Sequence, residues 1–235
     1  MDVPYDVNDL SLRQQYQKIL HKEWSPEMPA IIQAHRNLAR AMPAHTNLLM
    51  KEDNHATQLR QFSLVGELPE FAFPGSYRLE LYMLPKDHHQ ADVQVVNNIS
   101  VLGRADPERC AACKDRRAAG SRVRGYMHLD PRLILHLLGQ LHPDRRAAVT
   151  ELDHVATLIH GSFGARLVKP DGSKLAAADP HVPAHHTPLD EDKTPKLTLH
   201  SHVITLKPTD PTAPIKFGGH ETHGAFASEV EWKAL

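Results

Sequence analysis

The alternation of apolar and polar positions changes period along this chain. Between Ser11 and Trp24, Leu12, Tyr16, Ile19 and Leu20 recur at helical spacing, with Asn8, Asp9 or Ser11 able to cap the start. A second helix is predicted from the Ser25-Pro26-Glu27 signal, with Ile31, Ile32, His35, Leu38 and Met42 on one side until Pro43 ends it. Residues 43–60 are polar and unpatterned and read as a connector. From Phe62 the period becomes two. Tyr77, Leu79, Leu81 and Met83 alternate with Ser76, Arg78, Glu80 and Tyr82 after a Pro74-Gly75 turn, as in a half-buried strand.

Further strands are expected around Val93–Val101, Val123–Leu129 and 197–206, and a hairpin about Pro170-Asp171-Gly172-Ser173. A short helix is expected at 132–138, and another at 144–160, where Val149, Leu152, Val155, Ala156 and Ile159 keep helical spacing. Short strands between Pro and Gly turns predict a mainly β fold, an antiparallel β-sandwich with short peripheral helices and an N-terminal helical segment. Residues 1–60 would form the helical segment and connector. Residues 61–235 would form the sandwich, with a His/Pro-rich loop at 179–195 and a C-terminal tail.

The 235 residues, 41% of them hydrophobic, suffice for one main core with a helical appendage. A net charge of −1 supplies no field to attract a phosphate backbone, so nucleic acid is not expected as a partner. A membrane is not expected either, because no apolar run approaches the roughly 18 residues a span needs. The start MDVPYDVNDL has no basic and apolar leader pattern, so a cytoplasmic location is the expectation.

Candidate chemistry rests on two cysteines and 18 histidines. The cysteines form one Cys110-Ala-Ala-Cys113 pair, which excludes a disulfide-stapled scaffold and leaves metal binding, redox chemistry or two plain thiols. Zinc would need two more ligands, with His128 a possible recruit. A thioredoxin-like role would need the pair to open a helix after a strand, whereas Pro107 and the charged run after Lys114 predict a loop. Lys114 stands where haem attachment needs a histidine. His200 and His202 share one side of their strand, and His220 and His223 lie in a Gly-rich tail. These four could bind a metal together, or stand exposed with no shared role.

One ordered set of segments resembles a known family. Phe73-Pro74-Gly75-Ser76-Tyr77 leads into a strand, followed by Ile99-Ser100-Val101-Leu102-Gly103, the Cys110/Cys113 pair, and Val123-Arg124-Gly125-Tyr126-Met127-His128-Leu129. This succession resembles the carboxy-terminal shielding domain of tyrosinases and molluscan haemocyanins, fungal-type pro-tyrosinases in particular. The resemblance implies a β-sandwich docked on a dicopper domain in the same or a separate chain, with one side chain plugging the active-site mouth. Leu102 and Val101 are the plug candidates, and Leu102 is preferred because Val101 continues the buried alternation. It also implies a part in copper delivery for the Cys pair, and two thiolates three residues apart suit soft Cu(I).

A type 3 copper centre needs two sets of three histidines on helices. His181-Val-Pro-Ala-His185 has the spacing of one such pair, but its prolines forbid a regular helix. The expected function is therefore a non-catalytic cover that handles Cu(I), either half of a split or processed protein or a stand-alone relative. Two alternatives remain open: a small metalloenzyme using His200, His202 and His220 or His223, and a CxxC redox or interaction protein.

Overall fold

A computed structural model describes residues 28–41, 48–53, 56–85, 93–103, 110–183, 185–207, 215–226 and 230–235. The expected helix at 11–24, the pair His88-His89 and Pro107 lie outside the described residues. The fold is mainly β, an antiparallel sandwich with short helices. In chain order the elements are α1 (Met28–Ala41), β1 (Met50–Glu52), β2 (Thr57–Pro69), β3 (Tyr77–Met83), β4 (Val95–Val101), α2 (Ala111–Ala118), β5 (Arg122–His128) and α3 (Pro131–Gln140). Then follow α4 (Pro143–Ala147), α5 (Leu152–Ser162), β6 (Phe163–Val168), β7 (Lys174–Ala178), β8 (Lys196–Leu206), β9 (Lys216–Ala225) and β10 (Lys233–Ala234). One sheet has the order β1-β2-β8-β9, with β5 also paired to β2; the other runs β10-β7-β6-β3-β4. No described helix is long and apolar enough to cross a membrane.

The residues group into two units. The first draws on Met1–Gln61, Pro131–Leu152 and His202–His220. In it α1 sets Ile31, with Met28 and Ile32, against Met50, Leu59, Ile204 and Leu206, as the helical period of its apolar residues dictates. Arg36 clamps Glu52 with two hydrogen bonds of 3.0 and 2.7 Å. The α3 helix starts at a proline, where the missing N–H costs nothing, and buries Ile134, Leu135, Leu137 and Leu138. Its last carbonyls are capped by Arg146, which donates to Gly139 O at 2.6 Å and Leu141 O at 3.0 Å.

The second unit draws on Phe62–Asp130, Asp153–Ser201 and Glu221–Leu235 and holds the sandwich. Its core contains Phe62, Leu64 and Leu68 of β2, Leu79 and Leu81 of β3, Met127 of β5, Leu167 of β6 and Leu197 and Leu199 of β8, all buried. Ile99 of β4 reaches from its own sheet to β2 and β5 of the other. Gly66 and Gly125 are register partners on β2 and β5, and together they leave a gap that the Ile99 side chain fills. A Cβ on Gly66 would stand 2.8 Å from Ile99 Cδ1, and one on Gly125 would stand 2.6 Å from Ile99 Cγ2.

Sheet two also carries an ion-pair network. Glu80 is buried and receives Arg78 Nε at 2.6 Å and Arg166 Nε at 2.8 Å, while Arg166 lies 5.1 Å over the Tyr82 ring. The Tyr82 hydroxyl donates to Asp179 Oδ2 at 2.5 Å. Burial pushes the Glu80 carboxyl up, but the hydrogen bonds and charges of the two arginines outweigh it and hold it below the usual glutamate range.

Three sequence expectations change. The connector is partly strand: β1 and the first residues of β2 pair at Met50↔Leu59 and Glu52↔Thr57. The helix expected at 144–160 is two, α4 and α5, because Val149 belongs to the first unit and Val155 to the second, and the chain must turn between them. The C-terminal tail supplies β9 and β10. Trp232 and Ala234, in and beside β10, pin the His/Pro-rich loop through Leu189 N–H to Trp232 O at 2.7 Å and Ala234 N–H to Thr187 O at 2.8 Å.

Gly66→Ala and Gly125→Ala should each destabilise the chain by about 1–3 kcal/mol through overpacking. Adding Ile99→Val removes the Cδ1 that Gly66→Ala would strike but keeps the Cγ2 that Gly125→Ala would strike. Urea unfolding should therefore show compensation in the first double mutant and near-additive loss in the second. For Glu80, a folded-state pKa below the unfolded value means its stabilisation is complete at neutral pH. It is lost as pH falls below the ordinary range of about 4.3 and through the folded value. Glu80→Gln should be less stable at pH 7 and show a flatter acid limb in unfolding midpoints measured against pH.

Candidate functional site

The residues with the clearest chemistry sit at the start of α2. The helix begins at Ala111, and Cys110 is its N-cap, with extended backbone (φ −122°, ψ 112°). Its Sγ accepts the Cys113 N–H at 3.3 Å, the contact a Ser or Asp cap makes with the third helical residue. Neither thiol is tied in a disulfide, and both are half-buried. This differs from the loop expected for residues around 110–113. The helix-forming run Ala-Ala-Cys-Lys-Asp-Arg-Arg-Ala was the available signal, obscured because cysteine is not an expected cap.

The helix buries none of its side chains. Arg116 pairs with the buried Glu70 carboxylate at 2.6 Å, and Ser121 N–H bonds Arg116 O at 2.9 Å. Beside the C-terminal end of the helix lies a cleft of about 630 Å³ lined by Pro69, Phe71, Phe73, Arg117, Arg122 and Lys193. Its aromatic wall is fixed by Tyr77, which stacks edge-on against Phe73 and donates its hydroxyl to Pro69 O. Arg122 donates to Glu67 O at 3.2 Å and Thr194 O at 3.1 Å.

Upstream of the cysteines, β4 ends with Val101 buried and Leu102 85% exposed. The difference follows from the strand period: Val101 shares the inward parity of Ile99, and the next residue leaves the sheet pointing out. Of the two plug candidates, Val101 is committed to the core and Leu102 is free to be buried by something else.

The histidine candidates do not converge. His200 Nδ1 is hydrogen-bonded with Thr222 Oγ1 at 3.1 Å, His202 lies 5.8 Å from the Phe217 ring, and His220 is exposed on β9. His223 is buried, with Nε2 2.8 Å from Ser201 Oγ, Nδ1 3.6 Å from Asp153 Oδ1 and its ring 5.7 Å from Phe62. Among the described residues no three His, Cys, Asp or Glu side chains come together to hold a metal. Two sets of three imidazoles are likewise absent among them, and the donors present do not fit a dicopper centre. His181 and His185 lie in turns, His185 stacked on His186.

The Ser201, His223, Asp153 order, not foreseen from the sequence, has the residue types of a hydrolytic triad. Ser201 has no exposed surface, however, so its hydroxyl cannot meet a substrate carbonyl, and its hydrogen bond serves a buried imidazole. His223 also lines a second cleft of about 390 Å³ with Thr157, His160 and Phe163.

No protein-family model and no curated protein matches the chain. Among solved structures, recombinant mushroom tyrosinase is similar at 13% identity over 71% of this chain and 26% of that one, with a TM-score of 0.38. A single-crystal structure of coexistent latent and active mushroom tyrosinase, mediated by a hexatungstotellurate(VI), is similar at 14% identity over 75% of this chain and 29% of that one, again with a TM-score of 0.38. The chain thus spans under a third of the length of either tyrosinase. A TM-score of 0.38 lies below the level at which two chains can be said to share a fold, and the function rests on this chain's own residues.

Proposed function

We propose that this chain is a non-catalytic covering module for a tyrosinase-like dicopper domain, with Leu102 as the plug and Cys110 and Cys113 as a Cu(I) site. The observation that carries the reading is the pairing of an exposed leucine with two cysteines in the thiol form on the same stretch of chain. Leu102 leaves a rigid strand end at 85% exposure, and the thiols follow eight and eleven residues later. A large apolar side chain held out by a packed strand gains free energy only when something covers it. Inserted in the mouth of a buried metal site, it would displace water and deny access to a phenolic substrate.

The Cys pair fits Cu(I) by its donor set. Two sulfurs on one helical turn are soft and partly accessible, and the positive end of the helix they open offsets part of the negative charge of two thiolates. Bound there, Cu(I) would be held for transfer rather than used for chemistry. The dispersal of His200, His202, His220 and His223 gives the metalloenzyme alternative no comparable support.

Mixed with a tyrosinase-type dicopper domain that lacks its own cover, the chain should suppress diphenol oxidation. Leu102→Ala should weaken that inhibition roughly 30-fold, since it removes about 2 kcal/mol of apolar burial. Equal inhibition by the variant would remove the plug, and no inhibition by the wild type would remove the covering role. Separately, the reduced chain should take one Cu(I) in competition with a chromophoric chelator, and Cys110→Ser/Cys113→Ser should lose that affinity while keeping its fold.

A further inference from the structure

We propose that Cys110 and Cys113 form a reversible dithiol/disulfide couple that exchanges with low-molecular-weight disulfides, Cys110 attacking and Cys113 resolving. This goes beyond the covering and copper-handling reading and does not depend on it.

The turn geometry permits the bond. Cys113 N–H donates to Cys110 O at 3.0 Å, so Cys110–Cys113 is a hydrogen-bonded four-residue turn. The end Cα atoms of such a turn lie within about 7 Å, which overlaps the span a disulfide bridges. The S–S bond can therefore form without moving the strands on either side. The helix also tolerates closure mechanically. No α2 side chain is buried, and the contacts Arg116 to Glu70 and Ser121 to Arg116 O, which tie it to the sandwich, are at the opposite end from the pair. Tightening the first turn leaves the sandwich packing untouched.

The two sulfurs are unequal. Cys110 Sγ sits at the N-cap with the Cys113 N–H directed at it, outside the first helical turn, whereas Cys113 is the third residue within that turn. The balanced step follows. Cys110 thiolate attacks one sulfur of the small disulfide, forms a mixed disulfide and releases one thiolate. Cys113 gives its proton to water, attacks Cys110 Sγ and expels the second thiolate. Two protein thiols are oxidised, one small disulfide is reduced to two thiols, and excess thiol reverses the sequence.

The test uses the full chain, with a copper chelator present, equilibrated against oxidised and reduced glutathione, quenched and alkylated for intact-mass analysis. The wild type should pass from two alkylatable thiols to a species two hydrogens lighter with none, and return under reduced glutathione. Cys113→Ser should accumulate a glutathione adduct at Cys110, and Cys110→Ser should be modified at least about tenfold more slowly. Serine keeps a capping oxygen in the second variant, and circular dichroism of both checks the fold. A wild type that stays a dithiol at every ratio, or gains only glutathione adducts, overturns the couple; equal rates in the two variants overturn the assigned roles.

Discussion

The sandwich depends on one isoleucine being seated where two strands both lack a side chain. Gly66 and Gly125 face each other across β2 and β5, and Ile99 of β4 enters the space they leave. Two facing sheets ordinarily stand about 10 Å apart, filled by interdigitating side chains. At this point Ile99 is a knob in a glycine-floored hole, with contacts too short to admit a methyl group on either glycine without a shift. Asn97 adds a hydrogen bond from β4 to His128 O of β5 at 2.9 Å, fixing how far along the strand the knob sits. Everything β4 presents beyond that point inherits its position. Val101 is carried into the core, and Leu102 is carried out of it.

The long strands serve two cores in turn. On β2, Thr57 and Leu59 are buried early, and Phe62, Leu64 and Leu68 later, with a change of parity between them. On β8, Leu197, Leu199 and Ser201 are buried, and then Ile204. A strand of strict period two can line only one face, so a break in alternation marks where it passes from one core to another. The same transfer splits the helical stretch after residue 142 into α4 and α5.

Histidine abundance does not translate into a metal centre among the described residues. Several imidazoles find single partners instead: His223 meets Ser201, His200 meets Thr222, and His160 stacks on Phe226 at 5.3 Å. The thiols differ because they share a turn. Two donors three residues apart at a helix start are neighbours whatever the rest of the chain does, and the helix supplies its own polarisation. The proposed chemistry of the Cys pair therefore rests on local geometry alone.

That distinction also marks what could be read from residues. Period two at 77–83 and 197–206, the turn at 170–173 and the helical faces of Ile31 and Leu135 predicted elements that the structure contains, because each is fixed by neighbours in sequence. The mainly β sandwich followed from them. The preference for Leu102 over Val101 as an outward residue was legible for the same reason, as a matter of strand parity. The strand at 57–61 and β9 were not, because they carry weak apolar alternation of their own and are held by the strands they pair with. Nor was the capping role of Cys110, which reverses the expected loop into a helix start. Tertiary structure alone decided that Gly66 and Gly125 face Ile99, that Glu80 is buried between Arg78 and Arg166, and that His223 meets Ser201. Each joins residues separated by many positions, and no local pattern encodes which distant side chain will fill a given space.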